Sequence, residues 1–265
     1  MDTVRRSHTR NGAAYLEQGS GEPLVLIHGV GMRLEAWAPQ MTVLSRSHRV
    51  IAVDMPGHGE SRALPEGARL DGFVDWLGFF FDDLKLDHAN VAGHSMGALI
   101  AGGAAATFGS RVSRVALLNA VYRRDPAARA AVMERARKIQ DGEVDIDGPL
   151  LRWFGADAQG SETYRLTRRW LSWVDRAAYA TAYAAFAGGD DTYADGWQKV
   201  RCPALFLTGA DDPNSTPAMA HSMAQAAPHG YAVLIAGHRH MVNLTAPEEV
   251  NTILANWLAK PEETR

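Results

Sequence analysis

A chain of 265 residues is long enough to bury one large core, and its 46% hydrophobic and 22% charged content is that of a globular protein, not a disordered or fibrous one. A net charge of −3 argues against nucleic acid or an anionic membrane surface as partner, and a single cysteine, Cys202, excludes an intrachain disulfide. The basic pair Arg5-Arg6 has no apolar run behind it, and no apolar stretch approaches the ~20 residues of a membrane span, so a soluble, cytoplasmic protein is expected.

Strand and helix signals alternate along the chain. Thr3 to Thr9 and Ala13 to Gln18 flank Arg10-Asn11-Gly12, a hairpin-like turn. Leu24 to Ile27 is a continuous apolar run, as expected of a strand covered on both faces. A short helix over Glu35 to Ser45 precedes a second buried strand, Arg49 to Val53. Leu70, Phe73, Val74, Leu77, Phe80, Phe81 and Leu84 recur at three- and four-residue spacing, the apolar stripe of a helix. A fifth strand, Ala89 to Ala92, leads to a small-residue helix over Ala98 to Thr107, and Val112 to Leu118 forms the sixth strand.

From about Tyr122 to Asp195 the strands stop. Ala127 to Ile139, Gly148 to Phe154, Glu162 to Trp173 and Ala177 to Phe186 read as helices. Alternation resumes with the strand Ala204 to Thr208, a helix over Thr216 to Ala226, the strand Tyr231 to Ile235 and a closing helix from Pro247 to Ala259. Cys202, just before the seventh strand, is read as a buried structural thiol. This order predicts an α/β architecture, a mostly parallel sheet with helices on both faces. Residues 1–121 and 196–265 form its core domain, and 122–195 is inserted after the sixth strand as a helical lid. Ligands of such sheets bind at the carboxyl ends of the strands.

At one such end stands Gly93-His94-Ser95-Met96-Gly97, a G-x-S-x-G pattern between a strand and a helix. The turn is tight enough that residues flanking the serine must be small, and it lifts the Ser95 hydroxyl clear of the backbone. Ser95 is the candidate nucleophile. The Met96 amide, at a helix N-terminus, is one candidate oxyanion donor; the Val30 amide in His28-Gly29-Val30-Gly31 is the other. A serine hydroxyl needs a base and an acid to orient that base, which in this arrangement follow in the order Ser, Asp or Glu, His. Asp211 and Asp212 compete for the acid after the seventh strand, with Asp125 as a third candidate; His238 and His240 compete for the base. His8, His48, His88, His221 and His229 read as surface or strand-end residues, and no histidine pair has metal-ligand spacing. No metal and no cofactor is implied.

Taken together, His28 to Gly31, Asp54-Met55-Pro56-Gly57-His58-Gly59-Glu60-Ser61, Gly93 to Gly97, Gly209 to Asp212 and His240 to Glu249 resemble the α/β-hydrolase superfamily, in its order and over nearly the whole chain. The resemblance implies the α/β-hydrolase fold with a helical lid. Its G-x-x-D spacing from Gly209 selects Asp212, and the register to Pro247-Glu248-Glu249 selects His240 over His238. It also implies that Asp54, His58 and Ser61 belong to a non-catalytic turn. Thr245 stands where relatives carry glutamate, and Ala98 where many carry glycine. A serine at position 95, where dehalogenases and epoxide hydrolases carry aspartate, argues against those reactions.

The expected activity is hydrolysis of a small carboxylic ester or lactone through an acyl-enzyme. Amide or carbon–carbon cleavage or acyl transfer with the same triad, and a ligand sensor with little turnover, are the alternatives. His28, Gly29, Trp153, Trp170 and His238 are candidate pocket residues; Trp37 and Trp173 are further candidates for a place near the site, although core packing is the expected role of any single tryptophan among Trp37, Trp153, Trp170 and Trp173. An inward-turned arginine among Arg123, Arg124, Arg129, Arg135, Arg137, Arg152, Arg165, Arg168 and Arg169 is able to bind a substrate carboxylate, although most are expected to be solvated.

Overall fold

A computed structural model describes residues 5–143 and 145–260. Eight strands form one sheet: β1 (Ser7–His8), β2 (Ala14–Gln18), β3 (Pro23–Ile27), β4 (Arg49–Val53), β5 (Ala89–His94), β6 (Val112–Leu118), β7 (Ala204–Gly209) and β8 (Gly230–Ile235). Their order is β1-β2-β4-β3-β5-β6-β7-β8. β2 runs antiparallel to β1 and β4, and every pairing from β4 to β8 is parallel. Of the first predicted strand, residues 3 and 4 lie outside the described residues.

The central strands are apolar throughout because both faces are covered. Side chains alternate across a strand, so Leu24 and Leu26 of β3 face one way and Val25 and Ile27 the other. The first set packs with α1 (Ala38–Leu44) and α10 (Pro247–Leu258) through Met41, Leu44, Leu254 and Trp257. The second set packs with α2 (Leu70–Asp83) and α3 (Met96–Thr107) through Phe73, Leu77, Phe80 and Ile100. α3 is buried along most of its length, which a small, uniformly apolar sequence permits.

Between β6 and β7 the chain forms α4 (Pro126–Gln140), α5 (Asp147–Phe154), α6 (Glu162–Ser172) and α7 (Arg176–Ala187). Side chains of Asp125, Ser161 and Asp175 accept hydrogen bonds from the first-turn amides of α4, α6 and α7 and so set where each begins. α8 (Pro217–Ala226) follows β7, and the short α9 (Val242–Thr245) precedes α10. Among the described residues no helix is long and apolar enough to cross a membrane. Cys202 is half-buried, not buried as expected, because it sits in the loop before β7 and not in the strand itself.

The tract from Asp54 to Ser61 is a structural turn. The Asp54 carboxylate accepts from Arg6 Nε (2.7 Å) and from the amides of Leu34 (2.8 Å) and Glu60 (3.1 Å). Ser61 Oγ donates to the Asp54 carbonyl (2.6 Å) and accepts from the Ala14 amide (2.8 Å), joining the turn to β2.

Candidate active site

The parallel strands deliver their carboxyl ends to one edge, where the loops after β3, β5, β6, β7 and β8 meet. Ser95 occupies the turn between β5 and α3 at φ 54 and ψ −113, a backbone conformation that a non-glycine residue seldom adopts. The turn is possible because its flanks have no side chains. A Cβ on Gly93 would lie 2.0 Å from the Gly97 carbonyl oxygen, and one on Gly97 would lie 2.2 Å from the Ile27 carbonyl oxygen. Neither backbone neighbour has room to give. Gly97→Ala is therefore expected to cost about 3 kcal/mol, lowering the melting temperature by roughly 5–10 °C, which a thermal unfolding curve would show. An unchanged curve would mean that the turn is looser than this packing.

Ser95 Oγ lies 3.0 Å from His240 Nε2, and His240 Nδ1 lies 2.7 Å from Asp212 Oδ2. Asp212 and His240 are 3% exposed and Ser95 5%, so the line of contacts is shielded from water. Burial by itself would raise the Asp212 carboxyl. The His240 charge and hydrogen bond, the Asn214 amide (2.8 Å) and Asn119 Nδ2 (2.8 Å) outweigh it and hold the group below the ordinary carboxylate range. An ionised Asp212 accepts from Nδ1–H, which leaves Nε2 free to accept the Ser95 proton. The Val30 and Met96 amides are buried and donate to no acceptor among the described residues. Gly29 brings the Val30 loop against Ser95: a Cβ there would be 3.1 Å from Ser95 Cβ. The arrangement contains a shielded hydroxyl, a base oriented to remove its proton and two amides available to an oxyanion.

A model of the alpha/beta hydrolase family matches residues 24–253. The chain belongs to this family. It is similar to (E)-2-((N-methylformamido)methylene)succinate hydrolase of Acinetobacter baylyi, at 52% identity over 97% of each chain. Among solved structures it resembles the enol-lactonase of Burkholderia xenovorans, with a TM-score of 0.83 and 27% identity over 97% of this chain and 100% of that one. A thermophilic esterase from Thermogutta terrifontis gives a TM-score of 0.87 at 24% identity over 98% of this chain and 100% of that one, a likeness of fold. The protein is a hydrolase enzyme of the α/β-hydrolase fold.

In this hydrolase Asp211 is exposed, and Asp125 caps α4 by accepting from the Ala128 amide (2.8 Å). A cavity of about 210 Å³ opens on Ser95 and His240 under α4, α5 and α7. Trp153 lines it, stacks on the His240 ring at 6.0 Å and accepts the His240 amide on its carbonyl (3.1 Å). Three other expected pocket residues stand elsewhere. Trp170 is turned into the hydrophobic core with Tyr164 and Leu171, because these share one face of α6. His238 donates Nδ1–H to Thr245 Oγ1 (2.9 Å), so the threonine where relatives carry glutamate ties down this loop residue. His28 is fully buried behind the site, with Nδ1 on the Gly29 carbonyl (2.8 Å) and Nε2 accepting the Met55 amide (2.9 Å). His58 Nε2 similarly accepts the Gly31 amide (2.9 Å), so two histidines hold the Val30 loop from behind. Trp37 is core and Trp173 is 62% exposed.

Two residues at the site carried no functional reading in the sequence. Asn119, at φ 51 after β6, donates to Asp212 and to Thr208 Oγ1 (3.1 Å). Asparagine is among the few residues that tolerate such a φ, and its place at a strand end was the available signal. His94 Nε2 lies 2.7 Å from the His240 carbonyl, and burial lowers the His94 pKa to about 3. The ring is thus neutral and, with its proton on Nε2, donates to the loop that carries His240. Nothing in the G-x-S-x-G pattern distinguishes this histidine from any other residue at its variable position.

Proposed function

We propose that this protein is a serine hydrolase that cleaves a small acyl compound through an acyl-enzyme, with residues 122–195 as the cap over the reacting groups. The observation that carries the reading is the hydrogen-bonded line from Ser95 Oγ through His240 to Asp212. Ser95 Oγ attacks the carbonyl carbon while His240 Nε2 takes its proton, and Asp212 stabilises the imidazolium that forms. The Val30 and Met96 amides bind the oxyanion. The bond to the leaving group breaks as His240 returns the proton to it. Water then attacks the acyl-serine, His240 accepts the water's proton, and the proton passes back to Ser95 as the acid is released. These steps need no cofactor or metal.

The scissile bond we favour is an amide on a small acidic skeleton. The similarity at 52% identity to a hydrolase of an N-methylformamido-methylene succinate supports it, since that name describes a formamide on an unsaturated dicarboxylate. A formyl ester of Ser95 is then the intermediate. Small esters and lactones undergo the same acyl transfer with a better leaving group, and the likeness to an enol-lactonase supports them as the second reading. The test is to offer wild type and Ser95→Ala the formamide, p-nitrophenyl esters and small lactones together. Serine-dependent release of formate carries the amide reading; serine-dependent turnover of esters or lactones alone carries the second. Turnover that survives Ser95→Ala sinks both.

A further inference from the structure

We propose that Arg135 and Arg152 form the seat of a dicarboxylate substrate, gripping its two anionic ends from α4 and α5 while its acyl carbon lies over Ser95. The assignment rests on the acyl-hydrolase reading above and specifies the charge and the docking point of what that site takes.

The arginines between β6 and β7 sort by what they meet. Arg123 pairs with Asp195, Arg124 with Asp190, Arg129 with Asp190 and Asp191, Arg137 with Glu134 and Asp141, and Arg168 with Asp147. Arg165, Arg169 and Arg176 are exposed, where a solvated guanidinium needs no partner. Arg135 and Arg152 fit neither group. Both are half-buried, both line the cavity that holds Ser95, and neither pairs with a carboxylate among the described residues. Among the described residues no aspartate or glutamate lines that cavity.

The placement is not incidental to the helices. Ala128, Ala131, Val132 and Arg135 recur at three- and four-residue spacing on the cavity face of α4, so that face offers small side chains and one guanidinium. Arg135 Nε donates to the Tyr183 hydroxyl (3.2 Å), which orients its fork from α7. Arg152 stands beside Trp153, the residue stacked on His240. Burial first, and the nearby Arg135 charge second, push the Arg152 guanidinium below its ordinary range, and the smaller opposing effects of Tyr183, Asp145 and Tyr179 do not offset them. Two like charges brought together away from water are costly until an anion meets them. Two guanidiniums on separate helices suit two carboxylates, each of which accepts a bidentate fork.

Binding and turnover test the seat separately. Calorimetry on Ser95→Ala, which binds without turning over, would compare succinate, butyrate and inorganic phosphate. Succinate should bind more than about tenfold tighter than butyrate, and Arg135→Gln or Arg152→Gln should each weaken it by about tenfold or more, the loss expected for one charge-assisted contact. The lysine replacements should recover part of that loss, which guards against a variant that merely misfolds. Arg165→Gln, on the exposed face, should change nothing. In the Ser95 background, p-nitrophenyl hydrogen succinate keeps one free carboxylate, so the ratio of its kcat/KM over that of p-nitrophenyl butyrate should fall by about tenfold or more with at least one of the two glutamine substitutions. Succinate binding no tighter than butyrate, phosphate binding tighter than succinate, or glutamine variants that bind succinate like the parent would each overturn the seat. Loss of the acyl-hydrolase reading has a different signature, turnover that persists in Ser95→Ala, and leaves the binding result standing.

Discussion

Replacing Ser95 by alanine is expected to reduce kcat by about 10⁵-fold or more, with a melting temperature close to that of the parent. The loss is large because, in the function proposed, the serine oxygen forms the covalent bond, and among the described residues no other hydroxyl hydrogen-bonds His240 Nε2. The stability should hold because the change removes one oxygen whose single hydrogen bond is to that imidazole, and alanine keeps the same φ of 54 with the same strain. Ser95→Gly should differ in an informative way. It is equally inactive, yet it relieves a backbone conformation costing about 1–3 kcal/mol, so it should melt higher than Ser95→Ala. Asp212→Asn should lower kcat by about 10⁴-fold, since an amide no longer stabilises the imidazolium or selects the tautomer. Steady-state kinetics and thermal melts on the three variants read all of this. A Ser95→Ala protein within tenfold of wild-type kcat would remove the serine from the chemistry.

The fold should lose about 4 kcal/mol of stability between pH 7.5 and pH 5.5, through three histidines. His28, His58 and His94 are each lowered from 6.5 to about 3, with burial as the largest cause. The unfolded chain binds protons at these rings below pH 6.5 and the folded chain does not, so unfolding takes up protons and stability falls as pH falls. Their stabilisation is complete above pH 6.5 and is lost progressively toward pH 3. At pH 5.5 each ring costs about 1.4 kcal/mol, and the three together approach the whole stability of an ordinary domain. Urea midpoints measured at several pH values would give the slope. A midpoint unchanged between pH 7.5 and pH 5.5 would mean that the rings protonate in place. All three rings contact the Val30 loop or the His240 loop, so acid should disturb the edge that holds Ser95 and His240 along with the core.

Much of this was legible from the chain because it depends on near neighbours. A run such as Leu24 to Ile27 is a covered strand by composition alone, and the stripe from Leu70 to Phe81 is a helix by spacing alone. The sharp turn at Ser95 is written in Gly93 and Gly97, since only those two positions must lack side chains. The spacings that selected Asp212 and His240 do so because a β-strand of set length carries each to the same edge.

What a side chain meets across the fold was not legible. Trp153 and Trp170 are alike in sequence, yet one stacks on His240 and the other fills the core, according to which face its helix turns to a distant neighbour. His28 read as a pocket residue, but the Met55 amide from a turn 27 positions away claims its free nitrogen. Asn119 reaches Asp212 across 93 positions, and no local pattern encodes such a pair. The same holds for the arginines between β6 and β7. Their number and spacing belong to the sequence, whereas which have a carboxylate opposite and which face the cavity does not. Periodicity and turn chemistry act over a few residues, and they determined the order of elements and the turn that holds Ser95. Burial and charge pairing act between residues far apart in the chain, so only the tertiary structure decided that Arg135 and Arg152 line the cavity that holds Ser95 without a carboxylate partner among the described residues.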